Sequence, residues 1–269
     1  MRFVKTHACG NDFLIVEGAL DSETTSALAR RLCERHTGIG ADGVEFLERT
    51  GPLHGRIRLA NADGSIAEIS GNGTRCVAAW MAHTANAAPN DIITLETDSG
   101  PRICRIVEAG ENTFRIAANM SVPDVKQMQV TLTDKTVVYG TWVSMGNPNF
   151  VIVVNDDNFR AHGRGWQELG REICFHKDFP HQINVLFFRM IRADEIEIRI
   201  FERGVGPTSS SGTGTCSCAA AAISFCGGKS PMTVHAPGGT QRVEWAGPGN
   251  EMILSGPAEL VATGEILLG

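Results

Sequence analysis

The sequence predicts an α+β chain of two pseudo-symmetric domains, each a curved, mostly antiparallel sheet or barrel around a central buried helix. Three observations carry this. Segments that alternate or run apolar like strands outnumber those with helical spacing. Two segments, 72 to about 84 and 213 to about 225, are small or apolar nearly all round, and a helix without a polar face belongs in a core. The loops ahead of them, Ser70-Gly71-Asn72-Gly73-Thr74 and Ser211-Gly212-Thr213-Gly214-Thr215, repeat at an offset of 141 (211 less 70).

In chain order, Asp21 or Ser22 can cap a helix running to about residue 34, with Ala27, Leu28, Leu32 and Cys33 on one face and Gly38 beyond its end. Strands are predicted over 13–17, 44–47, 56–60, 92–96, 137–143, 150–154, 185–190 and 195–201. Asp98-Ser99-Gly100-Pro101 and Pro237-Gly238-Gly239 read as hairpin turns.

The repeat extends upstream of the loops. At the same offset Arg58-Leu59-Ala60-Asn61 falls on Arg199-Ile200-Phe201-Glu202, and Gly43-Val44 falls on Asn184-Val185. Gly10-Asn11-Asp12-Phe13 then matches Gly146-Asn147-Pro148-Asn149-Phe150 at an offset of 136, with one insertion. The halves are expected at 1–118, with a C-terminal strand at about 258–269 able to return to it, and at 119–257. Two such halves facing each other would leave a cleft for a small ligand. Each buried helix would offer it N-terminal N–H groups and a partial positive charge, a setting for a carboxylate.

The net charge of -6 argues against a nucleic-acid partner. No apolar run reaches the roughly 18 to 20 residues that span a bilayer. The first residues lack a signal-peptide apolar region, so a cytoplasmic location is expected. The eight cysteines form no paired CxxC knuckles and read as reduced, buried thiols, which leaves no metal site to expect.

Six motifs occur in order: His7-Ala8-Cys9-Gly10-Asn11-Asp12-Phe13, Gly38-Ile39-Gly40-Ala41-Asp42-Gly43, Asn61-Ala62-Asp63-Gly64-Ser65, Gly71-Asn72-Gly73-Thr74-Arg75-Cys76, Met145-Gly146-Asn147-Pro148 and Glu202-Arg203-Gly204-Val205-Gly206. Together they resemble the signature of the diaminopimelate epimerase family along nearly the whole chain. The resemblance implies a homodimer and conversion of LL- to meso-diaminopimelate, a precursor in lysine and peptidoglycan synthesis. It implies a two-base mechanism without pyridoxal phosphate, metal or other cofactor. One cysteine takes the α-proton from one face while a second donates on the other. It maps those cysteines onto Ser70 and Ser211. Substrate binding maps onto Asn11, Gly71, Asn72, Gly212 and Thr213 around the reacting carbon, and onto Asn61, Asn147, Asn184, Glu202 and Arg203 at the distal end. Read without the family, Asn72 is a helix-capping asparagine and Glu202-Arg203 a surface ion pair.

The neighbouring thiols do not replace the lost pair. Cys76 lies six residues beyond Ser70 and Cys218 seven beyond Ser211, about 9 to 10 Å along each helix at 1.5 Å per residue. The residues leave three readings open: an epimerase altered at both bases, a related isomerase using the serines on another amino acid, or a non-catalytic amino-acid-binding protein of the same fold.

Overall fold

The computed structural model describes residues 1–18, 22–67 and 70–267. They divide into two units, Met1–Asn119 with the segment from Ser255 onward, and Met120–Leu254. The elements begin with β1 (Arg2–Ala8), β2 (Asn11–Glu17), α1 (Ser22–Cys33), β3 (Gly43–Gly51), β4 (His54–Asn61), β5 (Ile66–Ala67), α2 (Gly71–Ala85), β6 (Ile92–Glu96), β7 (Arg102–Ala109) and β8 (Thr113–Asn119). They continue with β9 (Asp124–Thr131), β10 (Val137–Ser144), β11 (Pro148–Val153), α3 (Trp166–Cys174), β12 (Asn184–Arg192), β13 (Glu195–Glu202), β14 (Gly206–Thr208), α4 (Gly212–Phe225), β15 (Met232–Ala236), β16 (Gly239–Trp245) and β17 (Met252–Glu265).

In the first unit the strands close on themselves. β1 pairs with β2, β3 with β4, β6 with β7 and β7 with β8 antiparallel, while β2–β3 and β4–β6 are parallel. β8 then pairs with β17, and β17 runs antiparallel to β1. The result is an eight-stranded barrel, whose closure leaves no free edge among those strands. A parallel pair needs a crossover, and helices supply both. α2 joins β4 to β6 through the interior, where Cys76, Val77, Ala78, Met81 and Ala82 pack on Val4, Phe13, Ile15, Leu47, Leu59, Ile93 and Ile116. α1 joins β2 to β3 on the other side of the wall, with Leu28, Ala29, Leu32 and Cys33 against Leu14, Val16, Val44 and Phe46. Strands β2 and β3 are therefore buried on both faces, which is why their apolar residues run without alternation.

The second unit repeats the pattern. From β9 to β16 the pairings are antiparallel, antiparallel, parallel, antiparallel, parallel and antiparallel, the order that β17, β1, β2, β3, β4, β6 and β7 follow in the first unit. Inside, Cys216, Cys218 and Ala219 to Ala222 of α4 pack on Val143, Leu186, Phe188, Ile198, Ile200 and Val234. On the other face, Leu169, Ile173 and Cys174 of α3 meet Phe150, Ile152, Val185 and Phe187.

The mostly antiparallel α+β class and the two buried helices are as the sequence predicts. Helix α3 and strands β1, β5, β7, β8, β9, β14, β15 and β16 were not predicted as elements, although the expected turns at 98–101 and 237–239 join β6 to β7 and β15 to β16. The repeat contains the signal for α3, since an offset of 141 carries Leu28, Leu32 and Cys33 onto Leu169, Ile173 and Cys174. The predicted cap of α1 at Asp21, or at the Ser22 side chain, lies outside the described residues. No helix among the described residues is long and apolar enough to cross a membrane.

Candidate active site

The N-terminal ends of α2 and α4 are built alike. Ser70 caps α2 from extended backbone, with φ -122° and ψ 121°, and its Oγ accepts the Gly73 N–H at 3.1 Å. Ser211 caps α4 at φ -150° and ψ 125°, and its Oγ accepts the Gly214 N–H at 3.3 Å. Neither helix carries an acidic residue in its own first turn, so none of its own side chains offsets the positive end of the helix dipole. Gly71 and Gly212 open the two helices, and both are buried. The capping residue in the first unit is Ser70. Asn72, read from the sequence as a possible cap, sits inside the first turn instead.

Asn72 is the centre of a network in the first unit. Its Nδ2 donates to Asn11 Oδ1 at 3.1 Å, and its Oδ1 accepts from Arg75 Nη2 at 2.6 Å. Arg75, fully buried, also donates to the Gly71 carbonyl at 3.1 Å. Asn11 donates to Asp42 at 2.7 Å, and Asp42 accepts from Arg35 at 2.9 Å. Beside it, burial pushes the Asp12 carboxyl up, but hydrogen bonds from Arg35 and Lys5 outweigh burial and hold it at about 2. Four expected site residues, Asn11, Ser70, Gly71 and Asn72, are thus brought to one helix end. Asn61 is not tied to them by a hydrogen bond. It closes its own turn at the end of β4, donating to Ser65 Oγ at 3.0 Å.

A corresponding chain runs through the second unit. Asn147 Nδ2 donates to Thr213 Oγ1 at 3.2 Å. Asn149 Nδ2 donates to the Asn147 carbonyl at 2.9 Å, Asn184 Nδ2 to Asn149 Oδ1 at 3.2 Å, and the Arg203 N–H to Asn184 Oδ1 at 3.1 Å. Thr213, Asn147, Asn184 and Arg203 are joined this way. The link between them, the fully buried Asn149, was not among the expected site residues, although it stands inside the Asn147-Pro148-Asn149 motif. Arg203 is exposed and its guanidinium forms no ion pair among the described residues. The Glu202–Arg203 surface pair considered from sequence is not formed by Arg203, which leaves a planar fork suited to a carboxylate. Glu202 is half-buried at the end of β13.

The thiols near these helices are sealed in the cores. Burial pushes the Cys76 thiol up to about 12 and raises that of Cys218 as well. No group of three or more His, Cys, Asp or Glu residues that could hold a metal occurs among the described residues. A second acidic group was missed by the sequence reading. Glu45 of β3 lies fully buried against α2, and burial alone pushes its carboxyl up to about 8.

A sequence model of diaminopimelate epimerase matches residues 3–125 and 141–261. The chain belongs to the diaminopimelate epimerase family. Membership makes it an isomerase of the epimerase class. Similar proteins named diaminopimelate epimerase include one from Heliobacterium modesticaldum, 33% identical with 100% of each chain covered. Another, from Halothermothrix orenii, is 36% identical over 100% of this chain and 98% of the relative. A solved structure described as a predicted epimerase from Pseudomonas aeruginosa superposes with a TM-score of 0.74 at 17% identity, covering 100% of this chain and 99% of that one. A probable proline racemase from Agrobacterium radiobacter K84 gives 0.71 at 15%, covering 100% and 93%. At those identities the two structures show that the diaminopimelate epimerase fold is shared.

Proposed function

We propose that this protein takes diaminopimelate as substrate, with Ser70 and Ser211 at the two proton-transfer positions and no cofactor. The observation that carries the reading is the duplicated helix end. In this member of an epimerase family a capping serine, a buried glycine and an asparagine-centred network recur in both units. Asn11, Gly71, Asn72, Gly212 and Thr213 hold the amino-acid group at the reacting carbon. Asn61, Asn147, Asn184, Glu202 and Arg203 take the distal ammonium and carboxylate, with Arg203 as the carboxylate fork. The homodimer implied by the family resemblance and the cytoplasmic location expected from the sequence belong to the same proposal.

Serine sets the rate. A thiol ionises near 8.5, while an alcohol lies closer to the 15.7 of water, so forming the alkoxide costs roughly 7 to 10 kcal/mol more at 1.36 kcal/mol per pH unit. A helix N-terminus returns about 2 kcal/mol at most. The site therefore retains its ligand far better than it turns it over, and epimerisation runs orders of magnitude below that of a cysteine pair.

Calorimetric titration with diaminopimelate and with lysine tests the binding half of this proposal. Diaminopimelate should bind in the micromolar to millimolar range. Lysine lacks the second carboxylate, leaves Arg203 unpaired and should bind much more weakly. Equal affinity for the two would remove the reason for naming diaminopimelate.

A further inference from the structure

Strand β3 buries both faces. Val44 and Phe46 point to α1, while Leu47 points with Glu45 toward α2. Glu45 is 1% exposed, and neither carboxylate oxygen has a hydrogen-bond partner among the described residues. Its Oε1 occupies the place of the side chain that Gly73 lacks: a Cβ on Gly73 would stand 1.9 Å from that oxygen. Gly73 is also the residue whose N–H holds Ser70 Oγ. The second unit shows how close these positions are. A Cβ on Gly214 would lie 3.2 Å from Ser211 Oγ and 2.9 Å from Leu186 Cδ2. Leu186 is the repeat counterpart of Glu45 at the offset of 141.

The two helix ends thus differ in one chemical respect. Behind Gly214 the wall is apolar, and behind Gly73 it carries an unpaired carboxyl. Burying such a group without a partner is costly, and an apolar side chain fills the equivalent space in the other half. Its neighbours on the flanking strands, Ile15 and Leu59, are apolar. On α2 it lies near Cys76, whose thiol also has Thr6, Cys9 and Arg75 near it, and Arg75 is engaged by Asn72 and the Gly71 carbonyl.

We propose that Glu45 is the proton partner of Ser70, and that α-proton exchange in this chain is confined to the Ser70 side. The inference rests on the diaminopimelate reading above. In the step, the substrate Cα–H bond breaks and its proton goes to Ser70 Oγ. At rest neither Glu45 oxygen is bonded to Ser70 Oγ, so the step requires the Ser70 hydroxyl to turn from Gly73 toward Glu45. Its O–H bond then breaks in the same event, and that proton goes to the ionised Glu45 carboxylate, leaving the electron pair on Cα. The reverse step returns the proton to the same face. Ser70 therefore never has to persist as an alkoxide, which is the obstacle that serine chemistry raises. Ser211, backed by Leu186, has no such acceptor. Glu45 acts through Ser70 and is a positioning residue.

The test uses the intact chain in D2O with LL- and DD-diaminopimelate offered separately, reading α-deuterium by mass spectrometry and configuration by chiral chromatography. Exchange with retention is expected for one stereoisomer, above a protein-free control. It should rise between pH 6 and 9 as Glu45, pushed up by burial to about 8, ionises. Cys76, pushed up to about 12, stays protonated over that range. Glu45→Leu, which copies Leu186, should lower exchange by about 100-fold or more, as expected for loss of a general base, and remove the rise with pH. Calorimetric affinity should stay within a few fold. Binding without exchange, exchange of both stereoisomers at similar rates, or an unchanged rate and pH profile in Glu45→Leu would overturn the proposal while the binding reading stands. Failure of diaminopimelate to bind would overturn both.

Discussion

Replacing Glu45 by leucine should stabilise the protein, and by an amount that grows with pH. The carboxyl is pushed by burial from an ordinary 4.5 to about 8 in the fold. Between those values the folded chain keeps a proton that the unfolded chain has released. Stability is therefore free of this penalty below pH 4.5 and falls as pH rises, with the loss complete above about 8. At 1.36 kcal/mol per pH unit the full penalty is about 5 kcal/mol, of which about 4 develops between pH 5 and pH 9. That is a large share of the roughly 5 to 15 kcal/mol that holds a typical domain together. Urea unfolding of the wild-type chain and of Glu45→Leu at pH 5, 7 and 9 measures it. The gap between the two should widen by about 4 kcal/mol across the series. A gap that stays constant would mean that Glu45 is ionised in the fold or reaches water, and the argument from burial would fail. Glu45→Gln, which cannot ionise but keeps the shape, should show the same pH trend from a lower starting stability.

Two further perturbations follow from the packing around these helices. Gly73→Ala places a methyl 1.9 Å from Glu45 Oε1, and overpacking of this kind costs about 1 to 3 kcal/mol; thermal melts should show the cost shrinking when Glu45→Ala is added. The Asp12 carboxyl, held at about 2 against an ordinary 3.8, contributes stability above pH 3.8 that is lost as pH falls through 2. In acid titrations followed by circular dichroism, Asp12→Asn should narrow its deficit against wild type over that interval.

How far the chain could be read before its fold was known depended on how cleanly each element carried one period. Helices α2 and α4 are small or apolar all round, and that feature alone marks them as interior. The repeated loops fixed where they begin, because a serine followed by glycines is a strong local signal for a helix start. Glu45 was harder to see. In a strand buried on both faces the alternation that separates inside from outside is lost, so nothing in Val44-Glu45-Phe46-Leu47 says which way the carboxyl points. The nine-residue α3 lies in a segment broken by glycine, histidine and charge, and only the 141-residue offset from α1 exposes it. Asn149 illustrates the remaining gap. A motif can place an asparagine near a site, but its role as the buried link from Asn147 to Asn184 emerges only when three loops and strands meet.

The most direct test of the account restores the missing thiols. Ser70→Cys, Ser211→Cys and the double variant should be assayed for α-deuterium incorporation and inversion of LL-diaminopimelate, with calorimetry showing that each still takes up ligand. Inversion needs an acid and a base on opposite faces, so Ser70→Cys leaves an unassisted Ser211 to move a proton, and Ser211→Cys leaves Ser70 to do so with only Glu45 behind it. The double variant regains two groups whose ionisation the helix N-termini can bring toward neutrality. Its inversion rate should far exceed the product of the two single effects, the non-additivity expected of residues that work as a unit. A double variant that binds diaminopimelate yet neither exchanges nor inverts it would contradict the account, and a binding protein of the epimerase fold would take its place.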